Sequence, residues 1–119
     1  MTGAMLGNMS SGKYVPLILS IGPGQSASGA SPNNVFSPNT ATVTGGSGTY
    51  TYVWTEVDDS NAKWVLTNAT TATCTPAVRT SQPGTPTFAT VTCTVTDTVT
   101  MHTVSTSVVY EYIRTGTPP

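Results

Sequence analysis

One histidine, five carboxylates and two cysteines are the side chains in this 119-residue sequence able to serve as base, acid, thiolate nucleophile or metal ligand. A nucleophilic triad needs a base within hydrogen-bond reach of a Ser or Cys. His102 has neither at a defined spacing and reads as a partly exposed strand-end residue. Glycosidic cleavage needs two carboxyl groups held a set distance apart. Glu56, Asp58, Asp59, Asp97 and Glu111 read instead as scattered and exposed. Cys74 and Cys93 lack CxxC spacing, and two Cys with one His cannot close a four-ligand zinc site. Asp58-Asp59-Ser60-Asn61 offers oxygen ligands of the kind Ca²⁺ takes, but Asx side chains in turns ordinarily bond their own backbone. The chemistry points to a protein that is not an enzyme and uses no metal or cofactor.

Aromatic side chains are the remaining candidates for a ligand. Tyr50, Tyr52, Trp64, Tyr110 and Tyr112 could together present a platform for sugar. Trp64 follows a polar loop and is the residue read as a glycan contact. Against this, strand aromatics usually face inward, and Trp54 reads as the central aromatic of a core.

The elements that carry these residues are strands. Val91-Thr92-Cys93-Thr94-Val95-Thr96-Asp97 alternates strictly between apolar and polar, which buries one face of a strand and wets the other. Val43-Thr44-Gly45-Gly46-Ser47-Gly48-Thr49-Tyr50-Thr51-Tyr52-Val53-Trp54 reads as strand, glycine turn and aromatic strand. Its second strand sets Tyr50, Tyr52 and Trp54 on one face and Thr51, Val53 and Thr55 on the other. Strands are predicted over residues 14–21, 39–44, 49–58, 63–67, 69–76, 87–96 and 101–113, with no helical period anywhere. Residues 22–37, rich in Gly, Pro, Ser and Asn, are expected to hold no regular structure. Val35 and Phe36 there are expected to plug the sandwich edge.

Length allows one domain. Only 8% of residues are charged and the net charge is −1. Lys13, Lys63, Arg79 and Arg114 are scattered, which excludes a phosphate-binding stripe and hence nucleic acid as a partner. No apolar run approaches the ~20 residues of a membrane helix. Val15 to Ile21 is too short for an export signal and reads as a strand, so synthesis and retention in the cytoplasm are expected. Residues 1–14 lack a periodic pattern and read as a flexible N-terminal arm, 15–114 as one β-sandwich, and 115–119 as a free tail.

Thr44-Gly45-Gly46-Ser47-Gly48-Thr49-Tyr50-Thr51-Tyr52-Val53-Trp54 resembles the Gly-Gly-x-Gly-x-Tyr-x-Tyr-x-Trp signature of PKD-like and bacteriophage immunoglobulin-like domains. Phe88 to Asp97 is similar to their penultimate strand, which ends in Val-Thr-Asp. The resemblance covers residues 15–113, and two departures accompany it. Asp97 is followed by Thr98-Val99-Thr100 where PKD-type domains place a Gly, which favours the phage branch. The N-terminal arm also lies outside the family pattern. The resemblance implies an all-β, immunoglobulin-like antiparallel β-sandwich. Such sandwiches often join their second and sixth strands by a disulfide. Cys74 falls later than the second strand, so the cysteines are read as buried free thiols, with a disulfide as the alternative.

The function expected from this resemblance is structural: a module decorating the outside of a phage capsid, located on the virion surface. Its partner would be the major capsid protein or another virion protein, with self-association on the lattice. Met5, Leu6, Met9 and Tyr14, the apolar groups of the arm, are the residues expected to make the attachment, helped by strand edges. Two alternatives place the same fold on a tail, neck or fibre touching host glycans through Trp64, or on a bacterium as a secreted or cell-surface accessory module.

Overall fold

The computed structural model describes residues 15–116. Alternating sequence becomes alternating burial most cleanly in two twelve-residue strands, β9 (Pro86–Asp97) and β10 (Thr103–Arg114). They pair antiparallel from Pro86↔Ile113 to Thr96↔Thr103. β9 turns Thr87, Ala89, Val91, Cys93, Val95 and Asp97 inward. Its other edge takes β6 (Tyr50–Asp58), with Trp54 opposite Cys93. β2 (Ser26–Gly29) completes a four-stranded sheet by pairing in parallel with the end of β10, giving the order β2-β10-β9-β6.

The second layer centres on β8 (Thr73–Arg79), which pairs with β7 (Lys63–Thr67) along one edge. The other edge receives β3 (Asn34–Val35) and β4 (Asn39–Thr40). Their registers differ by one residue, so Val35↔Ala77 gives way to Asn39↔Cys74, the offset of a bulged strand. The chain then hands its pairing over: β5 (Thr42–Thr44) pairs with β1 (Ile18–Ser20). Side chains from both layers meet in one core, an all-β arrangement compatible with a β-sandwich.

That core is built on aromatics. Trp54 is 3% exposed and donates its indole N–H to the Thr71 carbonyl at 2.8 Å. Phe36 stacks on Trp64 at 5.7 Å between ring centroids and meets Tyr110 edge-on at 5.1 Å, the offset and T-shaped geometries that ring quadrupoles favour. Asn39 joins the layers. Its Nδ2 donates to the Gly22 carbonyl and to the Tyr110 hydroxyl, both at 3.0 Å, and its Oδ1 accepts the Gly22 N–H at 2.6 Å.

Several sequence expectations need correction. The Gly/Pro/Ser stretch over 22–37 contains two strands. Ser26-Ala27-Ser28-Gly29 has no apolar period to betray it, and its partner is the far C-terminal strand. A small residue is required beside it, since a Cβ on Gly24 would collide with the Val109 carbonyl. Phe36 is buried as expected, but Val35 points outward. The strand expected at 69–76 starts at Thr73, because Asn68 adopts a φ of 62° and residues 68–71 close a turn through Thr71 N–H to the Asn68 carbonyl. It also runs through Pro76, whose carbonyl still accepts the Phe36 N–H at 3.0 Å. At the other end, Thr115 N–H donates to the Gly29 carbonyl at 2.8 Å, tying the start of the supposed tail to β2.

Candidate functional surface

Asp58, Asp59 and Asp97, singled out in the sequence, each have a local structural task. Asp59 Oδ1 accepts Asn61 N–H at 3.0 Å and the Thr87 hydroxyl at 2.8 Å, while Oδ2 accepts Phe88 N–H at 2.8 Å. Burial alone would raise its carboxyl, but these bonds outweigh that and hold it below the ordinary value. Asp58 Oδ1 caps Ser60 N–H at 2.8 Å. The Asp58–Asn61 segment is therefore an Asx-type turn latched to β9. Among the described residues, no three of His, Cys, Asp and Glu come together as metal ligands.

Asp97 works harder, from a position with no exposed surface. Oδ2 accepts the Ser47 N–H at 2.5 Å; Oδ1 accepts the Ser47 hydroxyl at 2.8 Å, Val99 N–H at 2.9 Å and Thr100 N–H at 3.1 Å. The Ser47 N–H is the largest influence holding this carboxyl well below the usual carboxylate range, with the Thr100 and Val99 bonds adding to it against the opposing cost of burial. One carboxylate thus fastens the β5–β6 and β9–β10 turns together. Gly46 has a φ of 63°, and a Cβ there would collide with Asp97 Oδ2, so glycine is required twice over. His102 lies exposed just beyond, its carbonyl accepting Asp97 N–H at 2.9 Å.

Glu56 sits two residues from Asp58 on the inward face of β6, and its Oε2 is buried without a hydrogen-bond partner. Burial, then the hydrogen bond and charge shared with Asp58, raise its carboxyl above the ordinary value. Cys74 and Cys93 are free thiols with no exposed surface, and burial pushes each up to about 11.

Trp64 does not present a platform. It is 5% exposed, stacked on Phe36, with its indole N–H donated to the Thr87 hydroxyl at 3.0 Å. The polar loop before it turns the chain but does not set the direction of the next side chain, and period two carries Trp64 inward. Tyr110 and Tyr112 are buried as well, and Tyr112 donates to the Ser31 carbonyl at 2.7 Å. Met5, Leu6, Met9 and Tyr14 lie outside the described residues. Among the described residues no cleft or cavity opens.

What the surface does offer is the outer face of the four-stranded sheet. Val57 (75% exposed), Val109 (54%) and Phe88 (44%) stand there, with Ile113 beside them. Val57 pairs with Thr90 and Thr90 with Val109, so the two valines flank one threonine in a single row. Phe88, opposite Glu111, opens the next row. Inspection of the sequence missed this patch, although Phe88 carried a signal: it is out of phase with the inward series Thr87, Ala89, Val91, Cys93. Comparison with protein-family models, curated proteins and solved structures finds no significant match to this chain.

Proposed function

We propose that this chain is an immunoglobulin-like, non-enzymatic structural module that coats the outside of a phage capsid. The observation that carries this reading is the strand order β2-β10-β9-β6 facing a layer built on β8, with β2 parallel to β10. It supports the family to which the Gly-Gly-x-Gly-x-Tyr-x-Tyr-x-Trp stretch points. Fold by itself does not fix a role, so surface chemistry must narrow it. Asp58, Asp59 and Asp97 are engaged in turns and Glu56 is turned inward, which leaves Glu111 as the one acid on the broad outer face of the sheet. That face suits contact with protein better than with nucleic acid or ions.

Host-glycan binding through Trp64 loses its main support with that ring in the core. Attachment through Met5, Leu6, Met9 and Tyr14 stays part of the proposal on sequence grounds. Mass spectrometry of purified particles tests the assignment. A shell-coating role requires many copies per particle, in fixed ratio to the major capsid protein. A chain absent from purified particles would refute it.

A further inference from the structure

We infer that the outer face of the β2-β10-β9-β6 sheet is a self-association surface whose occupant is the same face of a second copy. This goes beyond the virion reading and does not depend on it. On that face Glu111 is the one acidic or basic side chain; the other positions are Thr and Ser around an apolar group of Val53, Val57, Phe88, Val109 and Ile113, with Pro86 at the edge. A partner for such a surface must itself be flat and uncharged, and the chain supplies one in its own image. A two-fold axis through the patch sets apolar residues against apolar residues, and pairs rather than filaments result because an isologous contact closes.

Size fits the smaller end of specific interfaces. Strands of four, twelve, twelve and nine residues at ~4.8 Å spacing and ~3.3 Å rise give a face of roughly 590 Å². Two such faces come to about 1,200 Å², the lower end of specific interfaces. With a net charge of −1, copies scarcely repel one another. The edge strand β6 is a weaker candidate, since Trp54 N–H there is already taken by the Ala69 carbonyl at 2.7 Å.

Sedimentation of the full chain from about 5 μM to about 500 μM, the range weak interfaces of this size occupy, is the test. The expected result is a mass rising from that of one 12.3 kDa chain toward two. Val57→Lys and Val109→Lys each enter an isologous contact twice and should weaken association about tenfold or more. Glu111→Gln, which removes a like-charge pair from the contact and keeps an acceptor for the Ser26 hydroxyl, should strengthen it about threefold. A gain that stops at two chains is distinct from the open-ended aggregation of a misfolded variant. Val99→Lys, exposed on the distant β9–β10 turn, should change nothing. A chain that stays monomeric throughout overturns the inference and leaves the face to another protein or to residues 1–14. Association indifferent to Val57→Lys and Val109→Lys overturns it equally.

Discussion

Replacing Asn39 by Leu removes the clasp between the two layers while nearly preserving side-chain volume. Asn39 is 2% exposed and makes three hydrogen bonds, two to the Gly22 backbone and one to the Tyr110 hydroxyl. Each neutral buried bond contributes about 1 kcal/mol net, and a donor or acceptor left dry costs about 1–3. Leucine would leave the Gly22 N–H, the Gly22 carbonyl and the Tyr110 hydroxyl without this partner. A loss of about 3–5 kcal/mol follows, from a total that for a domain is about 5–15. Urea unfolding followed by tryptophan fluorescence reads this directly, since Trp54 and Trp64 are both buried. With a slope of about 1–3 kcal/mol per molar urea, the midpoint should fall by roughly 1–5 M with the slope unchanged. Tyr110→Phe in the same background isolates one bond, and the double-mutant cycle should return a coupling of about 1 kcal/mol. A loss below about 1 kcal/mol for Asn39→Leu would show that the clasp is not what joins the layers.

Three further outcomes are expected. Asp97 has a depressed folded pKa, so its stabilisation is complete above the unfolded value of about 3.9 and drains away as pH falls through the folded one. Urea midpoints measured from neutral to strongly acidic pH should therefore decline at the acid end, and Asp97→Asn should lower the neutral-pH midpoint and flatten that decline; an unchanged profile would count against the turn-fastening role. Glu56 has the opposite sign: its raised pKa means that its ionised form is disfavoured in the folded chain. Glu56→Gln should thus raise the midpoint at pH 8 and have little effect at pH 4, and a loss at pH 8 would show that Oε2 is well served after all. Cys74 and Cys93, held near 11 by burial, should react with a thiol reagent at pH 8 only as fast as the chain unfolds. Rapid labelling of native protein would place at least one of them at the surface.

Strands with a strong period were legible in sequence, and those without one were not. β7 appears where Lys63 to Thr67 was expected, from its apolar run Trp64-Val65-Leu66, and β9 extends the expected run by one residue at each end around the alternating stretch Val91 to Thr96. β2 was invisible, since Ser, Ala and Gly give no periodic signal and its pairing is with residues 111–114. The shift of β8 came from Asn68 in the left-handed region, a turn that few residues signal locally. Asp97 read as an exposed acid but is buried, because its bonds to Ser47 are contacts across fifty residues that no local pattern signals. Trp64 was misplaced because loop polarity was allowed to outweigh strand alternation. The apolar outer patch was recoverable from phase alone, through Phe88, but Val57, Val109 and Ile113 join it only through register.

The measurement closest to the central proposal is where the protein sits. A small tag fused after Pro119 on phage particles, located with gold-labelled antibody by electron microscopy, distinguishes the possibilities. Gold spread over the whole head is the predicted result. Gold confined to the tail or one vertex would contradict capsid decoration, and particles without gold would contradict a virion role altogether.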